Sequence, residues 1–221
     1  MTRISFIHTG AVVIGTFTEL AATHLPGTEV HHLLDDKIVA DLGRDAEGTG
    51  VRERLLDLGR AARTAGSDAV VFSCSSISGY AAGLAAELGI PVLRIDEAMA
   101  DEAIASGSRI AVVATLPTTL APTAALLRER AALAGAGPEL HEVIVAGAFE
   151  AVSGGDRARH DALVGAAIVE WATRVDVVVL AQASMAGAAA TVDVAVPVLT
   201  SPELGLRRVA ELLAEPEPPA A

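Results

Sequence analysis

The chain has 221 residues, of which 52% are hydrophobic but only 3% aromatic, with a single cysteine and a formal net charge of −12. That length allows one large domain or two small ones with a real core, and one cysteine rules out an internal disulfide framework. The acidic balance, without a basic stripe or an aromatic stacking platform, argues against nucleic acid as a partner.

In chain order, MTRISF runs straight into a strand-like segment at residues 3–8 instead of a charged-then-apolar signal pattern, so a cytoplasmic setting is expected. The run ends in His-Thr-Gly, the pattern of a buried strand opening into a loop. A helix is predicted over 14–24, a second strand over 29–34 and an acidic turn at Asp35-Asp36. Residues 50–65 have apolar positions at helical spacing, and Gly66 suits their C-terminal cap. A third strand (69–73), a helix (81–88) and a fourth strand (91–94) follow. The series then restarts, with strands expected at 109–114, 142–146 and 176–181 after a joining helix around 96–106. Residues 203–213 read as helix, and 215–221 as a loose Pro/Glu/Ala end. The uncharged stretches 69–86 and 110–127 approach membrane-span length. Ser, Gly, Thr or Pro interrupts each where a strand would yield to a helix, so no membrane span is predicted.

The restart is visible in the letters. DAVVFSCSSISGYAAGLAAELGIPVL (68–93) recurs in altered form as DVVVLAQASMAGAAATVDVAVPVL (176–199), which sets Cys74 opposite Gln182. A repeat at offsets of 106 to 108 residues is a duplicated domain, not a solenoid. Strands alternating with helices imply parallel sheets with right-handed crossovers. The expected fold is therefore α/β, two pseudo-symmetric open parallel-sheet lobes of four strands each. Residues 1–97 with 205–221 would form the first lobe and 98–204 the second.

Ligands sit outside the carboxyl ends of parallel strands, so the lobes should enclose one cleft. Its expected lining is Thr9 and Gly10, Cys74, Ser75 and Ser76, Thr115 and Thr118, and Gln182, Ala183 and Ser184. A thiol at a strand-to-helix turn meets backbone N–H groups and the positive end of a helix dipole, which favour a thiolate. Cys74 is thus a candidate proton donor, acceptor or nucleophile, against the plainer reading of a small buried cysteine. The hydroxyl residues can donate to a carboxylate or an ene-diolate, although each could equally cap a helix. His8 is a possible second acid or base. Its counterpart is Ala114, which leaves a hydrogen-bonded structural histidine as the competing reading. Asp35 and Asp36 could reach the cleft or form a solvated turn. His31 and His32 lie on opposite faces of a strand and His160 falls in a charged helix, so no metal cluster is expected. No dinucleotide or Walker motif occurs.

Taken in order, IHTG (7–10), FSCSS (72–76), GAFEAVSGGD (147–156), LAQASM (180–185) and VPVLTSPELG (196–205) resemble the aspartate/glutamate/hydantoin racemase superfamily, which includes arylmalonate decarboxylase and maleate isomerase relatives. The resemblance implies a PLP-independent, metal-free isomerase acting on a small carboxylate, commonly as a homo-oligomer. One cysteine of such a site removes the proton α to the carboxylate and a second returns one. By the resemblance Cys74 is the first. Gln182 stands where the second would be, and a neutral amide cannot exchange protons usefully near pH 7. A one-thiol site suits decarboxylation of a substituted malonate, with Cys74 reprotonating one face. Arylmalonate decarboxylases resemble this with their single cysteine on the other side. A carboxylate-binding protein without catalysis is the remaining alternative. The scarcity of large rings favours a small aliphatic acid or amino-acid derivative.

Overall fold

Two four-stranded sheets, parallel throughout, frame the computed structural model, which describes residues 1–44 and 49–214. The first lobe contains β1 (Arg3–His8), α1 (Ile14–His24), β2 (Glu29–Leu34), α2 (Ile38–Leu42), α3 (Thr49–Thr64), β3 (Ala69–Phe72), α4 (Ala81–Leu88) and β4 (Val92–Arg94). Next come α5 (Glu97–Ser106), β5 (Arg109–Ala114), α6 (Pro117–Leu133), β6 (Glu139–Ile144) and α7 (Ala148–Ser153). The chain continues through α8 (Arg157–Ala172), β7 (Val177–Leu180), α9 (Ala186–Ala189), β8 (Val198–Thr200) and α10 (Ser201–Ala214). The strand orders are β2-β1-β3-β4 and β6-β5-β7-β8, the same arrangement twice.

The central strands explain the composition. β3 (AVVF) and β7 (VVVL) are buried at every position, as strands covered by helices on both faces must be. Each buried Val, Leu or Ile contributes roughly 1.5–3 kcal/mol of transfer free energy, so a core of small aliphatic side chains suffices without large rings. Registers match across the duplication, with Ile4 opposite Ala69 and Ile110 opposite Val177. The repeated aspartates have one job in both copies. Asp68 accepts the Arg3 N–H at 2.8 Å and Asp176 accepts that of Arg109 at 2.9 Å, tying the start of the third strand to the first. The Arg109 guanidinium also bonds Asp176 at 2.6 Å, and these donors hold its carboxyl well below the usual range.

The sixth strand corrects the sequence reading. It begins at Glu139, paired with Arg109 as Glu29 is with Arg3, three residues before the expected start at 142. An edge strand is only half covered, so its apolar run does not mark its ends. The expected helix at 203–213 lies inside α10, while the tail at 215–221 is outside the described residues. α10 returns to the first lobe, where Leu206 and Val209 pack with Ile4, Phe6 and Phe17. α5 packs on the second sheet through Met99, Ala100 and Ala103. Among the described residues, no helix is long and apolar enough to cross a membrane.

Candidate functional site

In each sheet the chain leaves the first strand towards one side and the third strand lies on the other. A crevice therefore opens beyond the carboxyl ends of β1 and β3, and likewise of β5 and β7. The two crevices merge into one cleft of about 710 Å³, ample for a small carboxylate. Thr9, Gly10, Cys74, Ser75, Ser76, Thr118, Gln182, Ala183 and Ser184 all line it.

Cys74 and Gln182 occupy equivalent backbone positions. Both are extended, with φ, ψ of −129°, 122° and −127°, 134°, and each opens a short 3₁₀ turn. The half-buried Cys74 and Gln182 side chains meet the cleft from different lobes. Gln182 is fixed in one orientation. Its Oε1 accepts from the Thr115 backbone N–H at 2.6 Å and from Thr115 Oγ1 at 2.8 Å. A backbone N–H can only donate, so the amide oxygen is the anchored end and the NH₂ the other. Gln182 can thus offer hydrogens to an oxygen but has no site that takes a proton near neutral pH. Thr115 itself is buried outside the cleft lining and acts as this brace.

Two of the expected anion donors join the lobes. Ser75 Oγ donates to the Ala181 carbonyl at 3.1 Å, and Ser76 Oγ meets Thr119 Oγ1 at 3.1 Å. The Ser75 hydroxyl hydrogen is therefore taken by the lobe contact. Thr9, Thr118, Ser153, Ser184 and the Gln182 amide are among the lining side chains with hydrogens to offer.

The sequence reading allowed Asp36 to reach the cleft, and it lines it, but missed Val39 and Ala40 from α2 and Phe149, Val152 and Ser153 from α7, which line it too. A signal was present, because the duplication relates these segments at an offset of 110. Asp35 N–H bonds the His8 carbonyl at 3.1 Å, as Val145 N–H bonds that of Ala114 at 2.8 Å. Asp35 is drawn to Arg54, whose Nε lies 2.8 Å from it, leaving Asp36 as the acidic side chain in the lining. No Lys, Arg or His among the described residues lines the cleft.

His8, the candidate second base, does not line the cleft. It is fully buried, with Nδ1 2.7 Å from Ser73 Oγ and Nε2 2.8 Å from His32 Nδ1. Burial, reinforced by His32, pushes its pKa down from 6.5 to about 4. An unfolded chain binds this proton more readily, so the stability from neutral His8 is complete above pH 6.5 and lost as pH falls towards 4. Calorimetric melting across that interval should show a decline on the order of 3 kcal/mol, which His8→Asn should flatten. His160 is also fully buried, with Nδ1 2.7 Å from Asp161, despite its charged neighbours in sequence. Among the described residues, no three His, Cys, Asp or Glu side chains are grouped to hold a metal ion.

Comparison with known proteins places this geometry in a family. Allantoin racemase from Pseudomonas fluorescens superposes with a TM-score of 0.64 at 23% identity, covering 100% of this chain and 99% of that one. Glutamate racemase isoform RacE1 from Bacillus anthracis gives 0.73 at 16% identity, covering 96% and 81%. An aspartate racemase homologue from Pyrococcus horikoshii gives 0.66 at 17% identity, covering 97% and 100%. These likenesses establish the shared two-lobed fold. No curated protein sequence matches the chain. The profile of the Asp/Glu/Hydantoin racemase family, however, matches residues 7–209, nearly the whole length. With its twin parallel sheets and one cleft between them, the chain belongs to that family.

Proposed function

We propose that the protein is a racemase-type enzyme working from one side, in which Cys74 transfers a proton at the carbon next to a carboxylate, without pyridoxal phosphate or metal. The observation that carries this reading is the pairing of a cleft thiol with an amide whose oxygen is held by Thr115. On proton removal, the C–H electron pair passes into an ene-diolate and the sulfur gains the hydrogen. The developing oxyanion takes hydrogen bonds from Gln182 Nε2, Thr9, Thr118 and Ser184, which strengthen as its charge grows. Without a proton carrier on Gln182, the hydrogen returns from the face it left. Asp36 would meet an N–H or ammonium group of the substrate, which favours an amino acid or an acylated amine.

In D₂O this mechanism predicts exchange of the α-hydrogen of one enantiomer with its configuration kept. Mass spectrometry combined with chiral chromatography on aspartate, glutamate and hydantoin-derived substrates would detect it. Racemisation as fast as exchange would reject one-sidedness and require another base. Gln182→Cys places a second thiol at the related position, and is expected to turn exchange with retention into racemisation.

The same lock on Gln182 favours a second reading, decarboxylation of a substituted malonate. The bond to the departing carboxylate breaks, its electrons remain as the ene-diolate, and Cys74 supplies the proton. Water then reprotonates the thiolate. Carbon dioxide release from substituted malonates, with a single product enantiomer, would select this reading over α-hydrogen exchange. Loss of both activities, with ligand still bound, would leave a carboxylate-binding protein. The expected setting is cytoplasmic and the expected assembly a homo-oligomer, to be checked by fractionation and light scattering.

A further inference from the structure

A hydrogen-bonded chain runs behind the cleft wall from β3 to the exposed face of α1. Its contacts are Ser73 Oγ to the Ile7 carbonyl (3.1 Å), Ser73 Oγ to His8 Nδ1 (2.7 Å), and His8 Nε2 to His32 Nδ1 (2.8 Å). It continues from His32 Nε2 to Thr18 Oγ1 (3.1 Å) and from Thr18 Oγ1 to the Ile14 carbonyl (2.9 Å). Hydrogens can be counted along it. Ser73 and Thr18 bring one each, and a neutral imidazole brings one. With both histidines neutral, four hydrogens face five contacts, so one contact at an end of the chain stays unfilled.

One more proton removes the deficit. With N–H on both nitrogens, His32 donates to His8 and to Thr18, His8 donates to Ser73, and both hydroxyls donate to their carbonyls. Every contact is then filled, the bonds run outward from the charged ring to the two carbonyls, and Ser73 donates to Ile7 alone. The neutral chain instead has two directions available, which differ in whether Ser73 donates to Ile7 or to His8. Ser73 lines the cleft and directly precedes Cys74, while His8 directly precedes Thr9 and Gly10.

We propose that His8 and His32 are positioning residues that take up one shared proton and thereby set the hydrogen-bond direction of Ser73 beneath the Cys74 loop. The surroundings constrain when the proton enters. Phe6 of β1 and Phe17 of α1 pack against the rings, and the residue that follows β3 contributes the Ser73 hydroxyl. β2 contributes His31, itself 3.3 Å from Glu29, and a charge on His31 opposes one on His32. Burial lowers the pKa of both members of the pair, so uptake falls below the ordinary imidazole range. The two rings titrate as a coupled unit.

The device is tested on the full chain without substrate, so its failure is separate from that of the proposed reaction. Ring nitrogen NMR from pH 7 to 4 reports the tautomer and charge of each histidine. The expected result is a joint uptake of one proton, with the Ser73 and Cys74 amide resonances moving in the same step. Alkylation of Cys74 by iodoacetamide should show a matching inflection. Thr18→Val sits on an exposed part of α1 and is mild for folding. It removes two contacts and one hydrogen, leaving three hydrogens for three contacts, so the neutral chain becomes complete and uptake should move to lower pH. His32→Asn, which cannot take the proton, should abolish the Cys74 step. Titration unchanged by Thr18→Val, or Cys74 resonances indifferent to the histidine step, would overturn the proposal.

Discussion

Cys74→Ala should reduce α-hydrogen exchange, or carbon dioxide release from a malonate, by about 10²–10⁴-fold, the range lost when a positioned acid or base is removed. The expected loss is in kcat, because the groups proposed to hold the carboxylate (Thr9, Thr118, Ser184 and the Gln182 amide) remain in the cleft lining. KM should change little. Cys74→Ser should be nearly as impaired, since a hydroxyl keeps the shape of the thiol but has far less thiolate-like reactivity. Iodoacetamide should inactivate the enzyme in proportion to Cys74 labelled, and bound substrate should slow the labelling. Mass spectrometry gives an unambiguous count, since this is the single cysteine of the chain. Wild-type turnover by the alanine variant would move the chemistry elsewhere in the cleft. Asp36 would then be the first candidate, as the ionisable side chain in the lining besides Cys74.

The largest effect on stability is expected far from that thiol, at Gly205 in α10. A methyl group there would overlap the Ile95 carbonyl oxygen and the Ile95 side chain. Ile95 is fully buried immediately after β4, and Leu206 beside the glycine is fully buried in the same cluster. The obstructing atom is backbone, so no rotamer change relieves the overlap. Either the helix moves out or the strand end shifts. Overpacking of this kind costs about 3 kcal/mol, which in a domain of this size lowers Tm by roughly 10 °C. The effect should reach the site as well, because α10 closes the core under β1, whose end carries Thr9 and Gly10. Thermal melting of Gly205→Ala beside Gly83→Ala, where an added methyl meets nothing within 4 Å, separates overlap from loss of chain flexibility. Equal melting temperatures for the two variants would show that α10 does not pack this closely.

The duplication was legible because it is written in local chemistry. Asp68 and Asp176 repeat as each clamps the first strand of its sheet, and the Val-rich runs after them repeat as both are central strands. From that repeat came the two sheets, the shared cleft and the pairing of Cys74 with Gln182. Edge strands were less legible. β6 is half exposed, so no apolar run fixes its register, and only its pairing of Glu139 with Arg109 does.

What the amino-acid order determined alone was which residues are chemically able to act: one thiol, its amide counterpart, and a ring of hydroxyls at strand ends. Tertiary structure decided what each hydroxyl and ring is bonded to, since a hydrogen bond depends on partners remote in sequence. Ser75 reaches Ala181 across the lobes, Thr115 turns to brace Gln182, and His8 faces inward to Ser73 and His32. A short polar side chain has one or two hydrogens to place, and only the assembled fold determines which acceptor lies within about 3 Å of them.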